Sequence, residues 1–120
     1  MDEEMSFGEY LKAKREANNK TLRGFAADLG IAPAYLCDIE KGNRNPPEKH
    51  LAKIIELLDI EGEELNKFYD LVGAAKKGAS PDLSDYIYQN SYARVALRRA
   101  RDNNTTDEQW QKIIKQLGKK

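Results

Sequence analysis

The fold is decided by residues 21–42, which read TLRGFAADLGIAPAYLCDIEKG. Thr21 is a suitable helix N-cap, and the apolar residues after it recur at the i, i+3, i+4, i+7 spacing of one helix face, namely Leu22, Phe25, Ala26 and Leu29. Gly30 follows this face at the place where glycine commonly ends a helix and turns the chain. Pro33 suits the first turn of a second helix, whose apolar side consists of Leu36 and Ile39. The stretch therefore predicts two short helices joined by a tight turn.

Residues in and around this stretch match those of a known family. They are Thr21-Leu22-Arg23, Phe25-Ala26, Gly30-Ile31, the run Tyr35-Leu36-Cys37-Asp38-Ile39-Glu40-Lys41-Gly42, then Arg44 and Pro46. On these residues the sequence resembles the helix-turn-helix family of phage lambda repressor and Cro, over roughly residues 7–60. The resemblance implies an all-α fold with a five-helix lambda-repressor-like DNA-binding domain, and it implies double-stranded DNA as the partner. We expect a short helical C-terminal extension to follow this domain.

Size and composition limit the other function classes. With 120 residues, 40% of them hydrophobic, the chain has room for one small domain, or for a domain of about 60 residues with an accessory segment. No apolar run approaches the roughly 20 residues that cross a bilayer, and the acidic start Met1-Asp2-Glu3-Glu4 is unlike a basic signal peptide. We therefore expect a cytoplasmic protein without a membrane partner. The single cysteine, Cys37, and a single histidine cannot form a structural zinc site, so we expect no metal and no other cofactor.

The net charge is zero, but the charges are unevenly distributed along the sequence. From Lys12 to Lys53 there are nine Lys or Arg and five Asp or Glu, whereas Glu56 to Asp70 holds six acidic residues and one Lys. One interpretation is that one side of the molecule is positive and the other end negative. The alternative is that these are ordinary solvated helix faces, so charge alone does not decide the function.

Helical patterns lie on both sides of residues 21–42. A helical stripe begins at Phe7 and ends at Asn18-Asn19, where two asparagines favour a turn. The glycine, asparagines and prolines of residues 42–47 predict a rigid, exposed loop. A helix is then predicted over residues 48–58, and the next is predicted to begin at Asp59-Ile60-Glu61. Together these patterns predict five helices and no strand.

The rest of the chain is predicted to be a linker and a helical extension. The sequence from Gly73 to Ser80 loses its apolar period, so the DNA-binding domain is assigned to residues 1–75 and the linker with the extension to residues 76–120. Helices are predicted from Ser80-Pro81, over about residues 92–101, and after Thr106, which has Gln109 in place for a capping box. The apolar side of the last helix is Trp110, Ile113, Ile114 and Leu117. These pieces are too poor in apolar residues for a core of their own. We expect either the DNA-binding domain or a second copy to cover them, and assign the extension to dimerisation or partner binding.

The resemblance assigns DNA-contact roles to residues of this chain. In the family, the second helix of the motif lies in the major groove and its first-turn side chains touch base edges. The corresponding residues here are Pro33, Ala34, Tyr35, Cys37 and Asp38. Pro33 and Ala34 can offer only apolar contact, for example to a thymine methyl group. Asp38 has two interpretations, because it can accept a hydrogen bond from a cytosine amino group or pair with a nearby Lys or Arg.

The remaining site residues are predicted either to contact phosphates or to form a structural ion pair. Phosphate contacts are assigned to Arg23, Lys41, Asn43, Arg44, Lys20 and Lys49. Leu22 stands where many relatives carry a phosphate-binding glutamine, so either Arg23 or the amide groups replace that contact or the affinity of each monomer is weak. Weak half-sites favour a homodimer on a near-palindromic operator. The resemblance also implies a structural ion pair between Arg15 and Glu40. The arginines between Arg94 and Arg101 have two interpretations, contact with flanking DNA or pairing with acidic residues across an interface.

Three functions are compatible with these features. The leading hypothesis is a sequence-specific DNA-binding transcriptional regulator, a repressor of phage or mobile-element type from a bacterium. A second is an antitoxin that binds its own promoter and neutralises a toxin through residues 80–117. A third is a protein-interaction module that has lost DNA binding, which Leu22 and the apolar Pro33-Ala34 would permit. We do not expect an enzyme, because the sequence has no nucleophile and base at motif spacing and no glycine-rich phosphate loop.

Overall fold

The computed structural model describes residues 5–78 and 80–119, which form α-helices, one 3-10 helix and, within those ranges, no strand. The α-helices are α1 (Phe7–Ala17), α2 (Leu22–Leu29), α3 (Pro33–Glu40), α4 (Leu51–Leu58), α5 (Glu63–Lys76), α6 (Pro81–Gln89), α7 (Ser91–Asp102) and α8 (Asp107–Leu117). The all-α prediction is confirmed. The chain divides into two compact units, the first ending at Ser84 and the second beginning at Asp85.

Side-chain caps fix where the first two helices begin. Ser6 and Glu9 form a reciprocal capping box, in which the Glu9 amide donates to Ser6 Oγ at 3.1 Å and the Ser6 amide donates to Glu9 Oε1 at 3.0 Å. Thr21 Oγ1 accepts from the Gly24 amide at 3.0 Å, so α2 starts where the sequence predicts. Gly30 ends α2 in the left-handed conformation, at φ 76°. The left-handed Gly30 therefore begins the turn between α2 and α3.

The first unit is built around one hydrophobic core. Phe68 of α5 is fully buried at its centre, and its ring lies edge-to-face with Phe7 and Tyr69, both at 5.5 Å between ring centroids. Each of helices α1 to α5 contributes further large apolar side chains that are fully buried, namely Leu11, Phe25, Leu36, Ile54, Leu58 and Val72. Helix α3 packs against both α1 and α2. One face of α3 is therefore fixed against the core.

Helix α1 lies unusually close to the carboxyl end of α3. A Cβ atom built on Gly8 would stand 2.4 Å from the Glu40 carbonyl oxygen and 2.5 Å from that of Ile39. Real Cβ atoms do not approach backbone that closely, so only glycine allows this separation of the two helices. Gly8 thus determines how closely α1 approaches the carboxyl end of α3.

Two predicted helix boundaries after α3 are wrong. The helix predicted over residues 48–58 is a 3-10 helix, Glu48–His50, followed by α4. Helix α5 begins at Glu63 and not at Asp59-Ile60-Glu61, because Asp59 ends α4 in the left-handed conformation at φ 57°. Gly62 then takes φ 66° immediately before α5. The turn between the helices is therefore longer than periodicity indicates.

The predicted exposed loop and linker also differ from the structure. Pro46, within the loop predicted to be exposed, is fully buried. The predicted linker is wrong over its first four residues, because α5 continues to Lys76 and Gly73 is buried with a close neighbour in the Ser80 backbone. Ser80 Oγ donates to Asp70 Oδ1 at 2.7 Å, which ties the end of this segment back onto α5. Ala79, in the same predicted linker, lies outside the described residues, as do Met1–Glu4 and Lys120 of the two predicted domains.

The second unit contains α7 and α8 and has no buried residue among those described. Asn90 caps α7 by accepting from the Ala93 amide at 3.0 Å, and Arg94 Nη1 donates to the carbonyl oxygen of Ile87 at 2.8 Å. Thr106 and Gln109 form the predicted capping box of α8. The described helices include none that is both long enough and apolar enough to span a bilayer.

Candidate nucleic-acid interface

Helix α3 has a buried side and an accessible side. Its buried residues are Leu36, Ile39 and Glu40, which are spaced as one helix face. The five residues predicted to face bases occupy the remaining positions. Ala34 is exposed, and Pro33, Tyr35, Cys37 and Asp38 are half-buried. These residues together form the accessible side of α3.

Pro33 begins α3 without a side-chain cap. It occupies the first helical position, where its missing amide hydrogen leaves no bond unmade, and Ala32 is the N-cap residue. The first turn of α3 consequently presents a ring and a methyl group, from Pro33 and Ala34. These groups offer apolar contact and no hydrogen-bond donor or acceptor to a partner.

The predicted phosphate-contacting residues lie on several elements around α3. Arg23 is exposed in the first turn of α2, Lys41 is exposed at the C-cap of α3, and Lys49 is exposed in the 3-10 helix. Asn43 is exposed in the loop after α3, and its amide donates to the Asp38 carbonyl oxygen at 2.9 Å. Lys20 is half-buried. The side chains of the three cations named first can therefore meet an anionic partner in solution.

The structure brings two of the predicted residues together. The guanidinium carbon of Arg44 lies 4.6 Å from the centroid of the Tyr35 ring, which is a cation–π contact. Gly42, at φ 84°, turns the chain at the end of α3, where the Asn43 amide donates back to the Asp38 carbonyl oxygen. The contact fixes the direction of Arg44 while its side chain remains exposed. Sequence reasoning missed this pairing, because only the turn at Gly42 makes the two residues neighbours.

The Arg15–Glu40 ion pair that the resemblance implies is present and buried. Arg15 Nε donates to Glu40 Oε2 at 2.7 Å, and Nη2 donates to Oε1 at 3.0 Å. The third contact of Arg15 runs from Nη1 to the Lys20 carbonyl oxygen at 2.9 Å. The hydrogen bond with Glu40 raises the pKa of Arg15, and the two residues are only 7% and 8% exposed. The pair joins α1, the last residue of α3 and the turn before α2.

Nothing described in the site has the composition of a metal centre. Among residues 5–78 and 80–119, no three His, Cys, Asp or Glu side chains are grouped closely enough to hold a metal ion. Asp38 is the one acidic residue on the accessible side of α3, beside the exposed Lys41. The site therefore combines a mainly apolar helix side with flanking cations.

Comparisons with known proteins agree with this geometry. A family model described as helix-turn-helix matches residues 11–65, which include α2, α3 and the turn between them. An uncharacterised HTH-type transcriptional regulator of Bacillus subtilis (strain 168), YazB, is 36% identical over 59 residues, which are 49% of this chain and 86% of that relative. The chain belongs to the helix-turn-helix family of the lambda repressor/Cro type. No solved structure matches it.

Proposed function

We propose that this chain is a sequence-specific DNA-binding transcriptional regulator that acts as a repressor and binds a near-palindromic operator as a homodimer. The observation that carries the proposal is the accessible side of α3, opposite Leu36 and Ile39, with exposed cations on the elements beside it. Membership of the helix-turn-helix family and the name of the Bacillus subtilis relative support the same function.

In this proposal α3 enters the major groove and its accessible side meets base edges. Ala34 contacts a thymine methyl group, and the Tyr35 hydroxyl donates to or accepts from a base edge or a phosphate. Asp38 accepts from a cytosine amino group, since it makes no ion pair within the described residues. Base preference then depends on Ala34 and Asp38, whereas Pro33 and Cys37 contribute only to the steric fit of α3 in the groove.

The flanking cations hold the helix in register without reading sequence. Arg23, at the start of α2, lies where the amide groups of that helix end can also face a phosphate. Lys41, Asn43 and Arg44 follow α3, and the contact of Arg44 with Tyr35 orients its guanidinium before DNA arrives. This preorganisation reduces the side-chain entropy lost on binding. We expect Lys20 and Lys49 to add weaker contacts at the edges.

A second copy of the chain is proposed to cover the apolar side of α8. Ile114 is 63% exposed and Leu117 is 80% exposed, although both belong to the apolar face of a regular helix. The first turn of α8 is acidic, with Asp107 and Glu108, and its last turn contains Lys115. Two antiparallel copies of α8 would place opposite charges and opposite helix dipoles beside each other. This complementarity favours a two-fold homodimer, which matches a palindromic operator.

Selection of bound duplexes from a random pool tests the proposal. The full chain should enrich a near-palindrome whose affinity falls steeply with salt. Arg44→Glu should weaken binding to every duplex, whereas Asp38→Asn should change the preferred base at one position in each half-site. Lys12→Glu, a charge reversal at an exposed position of α1 that makes no ion pair within the described residues and lies outside both predicted contact sets, is the matched control and should bind as the wild type does. Enrichment of no sequence would overturn the proposal in favour of a protein-interaction module.

An antitoxin is the second candidate, because the exposed side of α8 could receive a different protein. In that case residues 80–117 would bind a toxin while α3 still binds the promoter. Ile114→Glu with Leu117→Glu would then abolish toxin binding. A chain that is already dimeric through α8 by itself would count against this alternative.

A further inference from the structure

Helix α7 carries a line of arginines that the proposed operator contacts do not use. Arg94, Arg98 and Arg101 recur at the i, i+4, i+7 spacing of one helix face, which we term the arginine stripe. Arg99 lies to one side of it. Arg98 and Arg101 are exposed, and Arg94 is half-buried. The stripe is the densest group of arginines in the chain.

The guanidinium groups of the stripe are only partly used within the protein. Arg94 donates to the Ile87 and Tyr88 carbonyl oxygens, which orients it at the start of the stripe. Arg101 pairs with its neighbour Asp102 at 2.9 Å, but both side chains are largely exposed, at 71% and 65%, so water competes strongly with this pair. Arg98 makes no ion pair within the described residues. Arg98 and Arg101 are therefore available to an anionic partner.

The charge distribution of the chain indicates which partner fits. Residues 1–84 contain 12 Lys or Arg and 16 Asp or Glu, whereas residues 85–120 contain eight and four. The unit that holds α3 is thus net acidic by sequence, and the net positive charge belongs to the unit that holds the stripe. The phosphates of an operator are therefore repelled by the net negative charge of the first unit, except near the exposed cations of that unit. Guanidinium groups form bidentate hydrogen bonds with phosphate oxygens. This geometry favours a nucleic-acid backbone as the partner of the arginine stripe.

We propose that the arginine stripe of α7 contacts phosphates of duplex DNA that flanks the operator, as a second anchor that does not read sequence. The inference rests on the proposed function, because it requires α3 to hold the chain on a duplex. The stripe raises affinity for any flanking sequence and leaves base preference to α3.

Salt dependence of binding by the full-length chain tests the stripe. In Arg98→Ala/Arg101→Ala two phosphate contacts are lost, so the slope of log affinity against log salt should fall by roughly two, from about 0.9 for each contact. Between about 50 mM and 200 mM salt the variant should consequently lose roughly tenfold less affinity than the wild type. The matched control is Lys112→Ala/Lys119→Ala, which removes the same charge from exposed positions in and just after α8 in the same unit. This control should keep the wild-type slope.

Two further variables separate backbone contact from other effects. Arg98→Lys/Arg101→Lys preserves the charge and should restore most of the slope, whereas a folding defect would not be rescued in this way. Alanine favours helix more than arginine does, so α7 is retained in the alanine variant, and circular dichroism checks this. Trimming the duplex by about ten base pairs on each side, one helical turn, should abolish the difference between wild type and variant.

The outcomes distinguish this inference from the function on which it rests. If the wild type enriches and binds a duplex but Arg98→Ala/Arg101→Ala has the same slope, the stripe does not touch DNA and only this inference fails. An equal fall in slope for the lysine control would also overturn it, since the effect would then come from the general charge of the unit. If the wild type binds no duplex at any salt concentration, the proposed function itself fails.

Discussion

Glu40, the last residue of α3, is held by a buried arginine, and this pair should dominate the effect of single substitutions on stability. Glu40→Ala leaves the buried guanidinium of Arg15 with only the exposed Glu16 carboxylate, 3.9 Å away, as a counter-charge. Removing one partner of a buried ion pair typically lowers the free energy of unfolding by about 3–5 kcal/mol. Urea denaturation measures the change. We expect a large decrease in stability because, within the described residues, only the Lys20 carbonyl oxygen would still accept a hydrogen bond from the Arg15 guanidinium.

The double variant Arg15→Met/Glu40→Leu is the control for this prediction. It removes both charges at once, so it should be considerably more stable than Glu40→Ala, and an apolar replacement of a buried pair is often close to neutral. If Glu40→Ala loses less than about 1 kcal/mol, the pair is effectively solvated and contributes as little as a surface ion pair.

The carboxylate of Glu64 joins α5 to α1. It accepts from the Tyr10 hydroxyl at 2.6 Å and pairs with Lys14 at 2.9 Å. The hydrogen bond from Tyr10, followed by that from Lys14, lowers the pKa of Glu64, whereas burial raises the pKa of Tyr10. Tyr10→Phe removes the largest cause, so the pKa of Glu64 should rise. An NMR titration of the carboxyl carbon measures this, with Tyr69→Phe as the matched control.

The sign of the stability effect follows from the lowered pKa. A carboxyl group whose folded-state pKa lies below its unfolded value of about 4.3 stabilises the fold fully above that value, and the contribution is lost as the pH falls through the folded-state pKa. The stability difference between wild type and Tyr10→Phe should therefore shrink on acidification below about pH 4. A difference that stays constant into strong acid would mean that Tyr10 acts only through packing.

The contact between helices α1 and α3 depends on the absence of a side chain at Gly8. Gly8→Ala places a Cβ within 2.5 Å of the carbonyl oxygens of Ile39 and Glu40, so α1 and α3 must separate. Overpacking of this kind typically destabilises by about 1–3 kcal/mol, although alanine alone favours a helix over glycine by roughly 1 kcal/mol. Thermal unfolding should show a lower midpoint. Gly78→Ala is the control, because nothing lies within 4 Å of its Cβ position; a midpoint for Gly8→Ala at or above that of the wild type would contradict the prediction.

The elements also show what sequence could and could not predict. Features determined by residues three or four positions apart were predictable, such as the Thr21 cap, the left-handed Gly30 and the capping box of Thr106 and Gln109. The start of α5 was not, because Asp59 takes a left-handed conformation that asparagine and glycine adopt more commonly.

Contacts through space were predictable only where the family resemblance implied them, as for the Arg15–Glu40 pair. Small residues at Gly73-Ala74-Ala75 look like a linker until the packing of Gly73 against the Ser80 backbone is seen. The cation–π contact of Arg44 with Tyr35 likewise depends on the turn at Gly42. The family resemblance predicted which residues belong to the candidate site. The contact between Arg44 and Tyr35 within that site was visible only in the structure.

The apolar side of α8 is largely exposed, with Ile114 at 63% and Leu117 at 80%. Among the described residues of the second unit none is buried, so the unit exposes a face that a stable monomer would normally cover. Dimerisation would also place two copies of α3 on one duplex. Binding of the first half-site would then raise the effective concentration of the second α3, which increases affinity without any new contact.

Ile114→Glu/Leu117→Glu is expected to convert the proposed dimer to a monomer, because two carboxylates would be buried against the same apolar side of the partner. Sedimentation should give half the wild-type mass, whereas Lys112→Glu, a single charge reversal at an exposed position of α8 other than Asp107, Glu108 and Lys115, should leave the protein dimeric. The double variant should lose on the order of a hundredfold or more in affinity for the palindrome, which is the avidity lost with the second copy. Its affinity for a duplex with one half-site should match that of the wild type, since α3 is unchanged. A variant that stays dimeric, or a wild type that is monomeric, would show that α8 binds something other than its own copy.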